Sequence, residues 1–260
     1  MNTMTTLLIA DLHLHPEAPQ ITQGFFDYLE RNTAEGTDLY LIGDIFDAWI
    51  GDDLMDLGAA DPSGHAALAC QVAERLKAAS DAGMRLFLMH GNRDFLLGES
   101  FAQRAGATLL DEPQRLDLGG EPTLVMHGDS LCTSDEAYMA FRAKARDPQW
   151  QAGVLAMPIP ERLALASQLR QQSGEANSTK AADIMDVTPE EVVDVMQAHE
   201  VRRLIHGHTH RPAVHDLSLA GPQGDPVSAQ RIVVGDWTRD QGWEVRIEDG
   251  EAPSLNRFSF

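Results

Sequence analysis

Forty Asp and Glu and ten His are spread over the 260 residues, but those whose type and spacing suit metal chemistry fall in five short stretches. They are Asp11-Leu12-His13, Gly43-Asp44-Ile45-Phe46-Asp47, Gly91-Asn92-Arg93-Asp94, His127-Gly128-Asp129 and Gly207-His208-Thr209-His210. Carboxylate, imidazole and amide oxygen without thiolate suit Mn²⁺, Fe or Zn²⁺ better than Ca²⁺ or a Cys-rich structural zinc. Two cations roughly 3.5–4 Å apart need a shared anionic oxygen, and Asp44 is the best candidate to bridge them. Between such cations a water turns to hydroxide near neutral pH while both metals draw charge from a phosphoryl oxygen. The expected chemistry is hydrolysis at phosphorus.

Singly, the stretches carry little. Asp-x-His occurs in plain turns, and Gly-Asn-Arg-Asp reads as one. Three histidines at spacing two, His206, His208 and His210, have less structural reason. What unites the five is that each follows an apolar run. His15, His65, His90, His199, His206 and His215 are expected to be structural or on the surface.

The elements that must present these loops follow from periodicity. Thr5–Ala10 and Asp38–Ile42 read as buried strands, and Gly43 lets the chain turn so that Asp44 lies past a strand's carboxyl end, where open α/β sheets keep their ligands. Helical spacing marks Gln20–Arg31, Ala66–Ala82 and Phe95–Ala105, with a strand at Arg85–Met89 between the last two. Thr123–Met126 feeds His127, and after a helix at Pro189–Ala198 a strand at Arg203–Ile205 leads to His208. Four further strands are expected at Ala213–Leu219, Arg231–Val234, Trp243–Ile247 and Asn256–Phe260. Alternation of this kind predicts a layered α/β fold.

Residues 135–186 break the pattern. Helices are expected near Glu136–Arg146, Gln149–Leu155 and Glu161–Gln172, then a polar loop over Ser173–Lys180. From Asp135 to Asp183 six Lys and Arg balance six Asp and Glu, which makes this segment relatively basic in a chain of formal charge -20 and pI near 4.7. That overall charge argues against a bulk attraction to nucleic acid or anionic lipid. Only Cys70 and Cys132 are present, too few for a disulfide framework and in keeping with a reducing compartment. No secretory leader is expected, because no Lys or Arg precedes the apolar Leu7–Ala10 run.

Taken in order, the five stretches resemble the calcineurin-like metallophosphoesterase superfamily. The resemblance implies an α/β (α+β) sandwich of two mixed β-sheets flanked by helices, with a core of residues 1–134 and 187–260 and a helical lid insertion at 135–186. It further implies that one metal takes Asp11, His13, Asp44 and His210 and the other Asp44, Asn92, His127 and His208. Most members have histidine after the Asn as a general acid; here Arg93 stands there, and a guanidinium with pKa above ~12 cannot donate its proton usefully. A phosphate leaving group needs no proton near pH 7, so Arg93 favours a pyrophosphate substrate.

The segment Ser173-Gly174-Glu175-Ala176-Asn177-Ser178-Thr179-Lys180, followed by Ile184–Val187, resembles the lid of the UDP-2,3-diacylglucosamine diphosphatase family of lipid A biosynthesis. In that family water attacks the α-phosphorus of the UDP-sugar and releases UMP and 2,3-diacylglucosamine 1-phosphate, with two Mn²⁺ as the usual metals. The resemblance implies catalytic roles for Asp44, Asn92, Arg93 and His208, and substrate contacts from Asn92, Arg93, Asp135, Ser173, Asn177, Lys180 and His208. It also implies a monomer, peripheral on the cytoplasmic face of the inner membrane. Phe141, Trp150, Val154, Leu155 and Leu169 are candidates to line an acyl channel, and Arg142, Lys144, Arg146, Arg162 and Arg170 to meet anionic headgroups. The rival readings are another calcineurin-like phosphoesterase, such as a nucleotide pyrophosphatase, and a non-catalytic scaffold.

Overall fold

The computed structural model describes residues 4–179, 186–221 and 224–260, and side chains within these ranges except those of 172–179. In chain order the elements are β1 (Thr5–Ile9), α1 (Pro19–Asn32), β2 (Thr37–Ile42), α2 (His65–Asp81), β3 (Arg85–Met89), α3 (Glu99–Ala105), β4 (Thr108–Leu110), β5 (Gln114–Leu118), β6 (Glu121–Val125), α4 (Glu136–Ala145), α5 (Pro148–Leu155), α6 (Ile159–Thr179), α7 (Pro189–Ala198), β7 (Arg203–His206), β8 (Ala213–Ala220), β9 (Pro226–Val233), β10 (Gln241–Glu248) and β11 (Ser254–Ser259). They form the expected pair of mixed sheets: six strands in the order β11-β10-β1-β2-β3-β4 and five in the order β5-β6-β7-β9-β8.

Strand periodicity explains the layering. Successive side chains of a strand point to opposite faces, so an apolar run needs cover on both. Leu7, Ile9, Leu39, Leu41 and Leu88 face α1, α2 and α3, where Phe25, Leu29, Val72, Leu76 and Phe101 meet them. Their alternates Leu8, Ala10, Tyr40, Ile42 and Met89 face the second sheet, packing on Val125, Ile205, Ile232 and Val234. The outer face of the second sheet, with Leu124 and Leu204, is closed by Val192 and Met196 of α7.

Register then sets where the loops emerge. β1, β2 and β3 run parallel with Ile9 opposite Leu41 and Ile42 opposite Met89, so they end flush. In the second sheet β6 and β7 run parallel with Val125 opposite Ile205. All five site loops leave from carboxyl ends of these strands.

Two expectations are corrected. Helix α3 begins at Glu99, not Phe95, because residues 94–97 close a turn in which Leu97 N donates to Asp94 O at 2.9 Å. The polar loop expected over 173–180 is helical as far as Thr179, so α6 is longer than its apolar pattern. A lone glycine such as Gly174 costs only about 1 kcal/mol against Ala, and no proline interrupts the run. Residues 52–60, for which no element was expected, form a short-pitched helix.

Candidate metal centre and adjoining cavity

The loops carry strain where the chemistry is expected. Among the described residues six other than glycine have positive φ, and five of them are Asp11 (55°), His13 (47°), Asp44 (52°), His208 (69°) and His210 (55°). Each such conformation costs roughly 1–3 kcal/mol and persists only where its surroundings fix it. Here the backbone does so: Asp11 N donates to Gly43 O at 3.1 Å, His13 N to Asp44 O at 2.9 Å and Gly207 N to His127 O at 2.9 Å. Asp94 adds a side-chain clamp, accepting from Ile45 N and Gly91 N, both at 2.7 Å.

Two glycines are required by this closeness. Gly43 turns at φ 97°, and a Cβ there would meet His127 Nδ1 at 2.5 Å. A Cβ on Gly91 would fall on the Asp44 carboxylate.

The donor atoms converge. His210 Nε2 lies 3.5 Å from Asp11 Oδ1 and 3.2 Å from His13 Nε2. On the other side His127 Nε2 and His208 Nδ1 lie 3.0 and 2.9 Å from Asn92 Oδ1. Asp44 spans the two groups, with Oδ2 3.8 Å from His13 Nε2 and Oδ1 3.8 Å from His127 Nε2. Within Asp11, His13 and His210, and within Asp11, Asp44 and His127, the ligand atoms lie inside 4.8 Å of one another. All seven expected ligands are thus gathered in one place.

These residues fit divalent cations. His127 Nδ1 donates to the Ile42 carbonyl at 3.1 Å, which leaves Nε2, the nitrogen facing Asn92 and Asp44, to bind a cation in exchange for its proton. Buried Asp11 Oδ1 has no hydrogen-bond partner among the described residues. Lone pairs packed this closely repel unless a positive charge stands among them.

The electrostatics agree. Burial pushes the Asp44 carboxyl up to about 7, and Asp94 and Asp11 add to the push against the pull of His127. Burial would lower His127, yet Asp44, Asp11 and Asp129 hold it near 9. Burial also drops His13 to about 4 and His208 to about 3, so both are neutral ligands at pH 7. Asp11, which burial alone would raise, is held well below the usual carboxylate range by the His210 imidazole 3.5 Å away and by the His127 charge.

A match to the calcineurin-like phosphoesterase family model spans residues 4–212, four-fifths of the chain. The chain belongs to that family. A relative from Chromohalobacter salexigens named UDP-2,3-diacylglucosamine hydrolase is 58% identical over 257 residues, covering 99% of this chain and 98% of the relative. Relatives of the same name from Cellvibrio japonicus and Pseudomonas aeruginosa are 57% and 49% identical, covering 92% and 94% of this chain and 93% and 95% of theirs.

In this phosphoesterase the donor cluster forms one end of a cavity of about 760 Å³. Asp44, Asn92, His208 and His210 are at that end, with Arg93 and Asp135 in its wall. Arg93 N donates to Asp44 Oδ1 at 2.8 Å, while its guanidinium makes no hydrogen bond or ion pair among the described residues. Asp135 caps α4 by accepting from Tyr138 N at 3.0 Å. Ser173 and Asn177 fall on α6 but their side chains lie outside the description, and Lys180 lies outside the described residues altogether.

The rest of the cavity is mostly apolar, with Asp47, Arg162, Arg170 and Arg211 as charged residues in its wall. Phe141, Trp150, Val154 and Leu169 line it as expected, facing Trp49, Ile50 and Leu96 of the core. Leu155 does not; it is 43% exposed.

The expected cationic lipid face is corrected more fully. Arg162 is 3% exposed, donates to Ile50 O at 2.6 Å and to Met157 O at 2.9 Å, and pairs with Asp53. Arg146 donates to Gly91 O at 3.0 Å, and Arg170 pairs with Asp47. Lys144 stands 5.8 Å over the Trp150 ring. In an acid-rich chain these arginines find carboxylates and carbonyls, and they tie the inserted helices to the core, while Lys144 stays exposed.

Sequence reasoning also missed a supporting network. Asp129 is fully buried and accepts from Tyr138 Oη and from Arg142 Nε at 2.8 Å. Glu112 accepts from the backbone N of His127 at 2.8 Å. Asp129 was visible in His127-Gly128-Asp129; nothing in the spacing marks Glu112 or Tyr138.

Proposed function

We propose that this chain hydrolyses the pyrophosphate bond of UDP-2,3-diacylglucosamine by water attack on the α-phosphorus, releasing UMP and 2,3-diacylglucosamine 1-phosphate in lipid A biosynthesis. The observation that carries the reading is one cavity joining the Asp, His and Asn cluster to an apolar gallery. A water-soluble phosphate ester has no use for the apolar half. The names of the relatives point to the same substrate.

Two Mn²⁺ would be held by Asp11, His13, Asp44 and His210 on one side and by Asp44, Asn92, His127 and His208 on the other. Bound there, they would supply Lewis-acid polarisation of the phosphoryl oxygens and an acidified water. The chain's own residues do the rest. Asp94 fixes the loop that carries Asp44. The guanidinium of Arg93, without a partner among the described residues, is left to offset charge on the phosphoryl group, and it has no proton to give. A departing phosphate requires none.

In this reading residues 135–186 are a lid on a core of 1–134 and 187–260, with Asp135, Ser173, Asn177 and Lys180 on the sugar and phosphate. Every donor comes from one chain, which suits a monomer. No helix among the described residues is long and apolar enough to cross a membrane, so a diacylated substrate would be drawn from the inner-membrane surface on the cytoplasmic side. Exposed Leu155, beside Gly51 and cavity-lining Ile50, suits contact with that surface.

The test compares turnover of the diacylated UDP-sugar with that of UDP-glucose in Mn²⁺. A large preference for the diacylated substrate is expected. Equal rates would overturn the reading in favour of a soluble nucleotide pyrophosphatase.

A further inference from the structure

In that reading the first cavity takes phosphate, sugar and acyl chains, and the nucleoside half is still to be placed. A second, smaller cavity of about 240 Å³ opens on the other side of the His208–Arg211 loop. Thr209 and Arg211 stand in the wall of both. Since a water molecule's share of liquid volume is about 30 Å³, the space is far larger than an ordinary hydration site.

Its lining combines a flat apolar side with hydrogen-bonding groups. Pro212, Ala213 and Val233 give the apolar side. Arg231 enters from β9 with its side chain only 11% exposed, and its Nη1 is buried without a hydrogen-bond partner among the described residues. Thr209 Oγ1 is likewise buried and unpartnered among the described residues. Asp186 accepts from Arg211 Nη1 at 2.6 Å and lies 3.9 Å from Arg231 Nη1. Buried donors left unmade cost about 1–3 kcal/mol each, so two lining one cavity call for a ligand that satisfies them.

We propose that this second cavity binds the nucleoside half of the substrate, holding the pyrimidine ring against Pro212 and Val233 with its carbonyls on Arg231 and Thr209. The inference rests on the function proposed above. The carboxylate of Asp186, fixed by Arg211, is suited to accept from ribose hydroxyls, as acidic residues do in dinucleotide sites. The His208–His210 loop then separates the two halves that hydrolysis parts: glycolipid phosphate on one side, nucleoside monophosphate on the other.

The experiment measures UMP and inorganic phosphate binding to the Mn²⁺-loaded full chain by calorimetry, for the wild type, Arg231→Gln and Ala213→Phe, the last filling the cavity without removing a charge. The expected result is UMP affinity weakened about ten-fold or more in both variants, with inorganic phosphate binding unchanged and KM for the UDP-glycolipid raised in step. Unchanged UMP affinity in both folded variants, with the wild type still hydrolysing the UDP-glycolipid, would overturn the subsite and leave the function standing. A wild type that neither binds UMP nor hydrolyses the UDP-glycolipid would overturn both.

Discussion

His127 and Ile42 belong to different sheets, and the imidazole Nδ1 of one donates to the carbonyl of the other at 3.1 Å. That bond locks the tautomer that frees Nε2 and fixes the second sheet's contribution to the centre against the strand that delivers Asp44. The metal site and the inter-sheet packing are therefore one structure, and loading with metal should be felt by the whole fold.

The first prediction follows from this. In metal-free protein, Asp44 has a folded pKa raised above its ordinary value, so its contribution to stability is present below pH 4 and lost as pH rises toward about 7. His127, raised to about 9, loses its contribution between about 6.5 and 9. The depressed His13 and His208 act oppositely, but only below about 6.5. Chelator-treated protein should accordingly lose thermal stability from pH 7 to 9. Mn²⁺ at a hundred-fold excess over Kd should add about 2.7 kcal/mol, or about 5–10 °C in Tm, and flatten the decline. A metal-free Tm that climbs from pH 7 to 9 would contradict the charge arrangement.

Asp44→Ala should abolish Mn²⁺-dependent hydrolysis, since the carboxylate spans both donor groups. The fold should stay intact but with a metal-free Tm below that of the wild type, because the change takes from His127 the carboxylate 3.8 Å away and from Arg93 N its acceptor. Circular dichroism and metal titration check the two halves of this expectation.

Arg93→Ala should lower kcat by about 10²–10³, the loss typical of one donor aimed at developing charge. Arg93→Lys should recover part of it, as a point charge without the guanidinium fork. Since the backbone N–H of residue 93, not its side chain, holds Asp44, Mn²⁺ affinity should stay unchanged. A matching fall in metal affinity would reassign Arg93 to building the site.

The centre was largely legible because strand ends, glycine turns and metal-type side chains are local in sequence. Asp44, Asn92 and His208 each follow an apolar run that can hardly be anything but a buried strand. What lay hidden was non-local. Nothing in the chain announces that Glu112 will hold the His127 backbone or that Arg162 will reach Ile50, since such pairs depend on how the inserted helices settle on the core. The four arginines of the insertion were misread for the same reason: helix-face charge describes an isolated helix, and these found partners in other elements. The extent of α6 was misjudged because polar residues at its end carry no apolar period, although they are compatible with a helix.

Arg162 provides the mechanical counterpart. Its guanidinium is nearly buried and bridges α6 to Ile50 O and Asp53. Arg162→Met should keep the aliphatic stem but lose the charge-assisted bonds, costing about 1.5–3 kcal/mol. Hydrogen exchange should show that loss as faster opening of α5 and α6, with β1 and β2 unaffected. Uniform acceleration over the whole chain would mean that the insertion and core open together.

Trp150 separates the two ends of the main cavity. It lines that cavity, its ring 6.1 Å from Phe95 across the junction of insertion and core. Removing the indole leaves the phosphorus chemistry in place but takes away wall area against which acyl chains would lie, at roughly 25 cal/mol per Å². Trp150→Ala should therefore raise KM for the diacylated UDP-sugar about ten-fold or more while hydrolysis of a small diester such as bis(p-nitrophenyl) phosphate proceeds as before. Equal losses on both substrates would mean that the indole holds the centre itself together, and the division of the cavity into a polar and an apolar end would have to be abandoned.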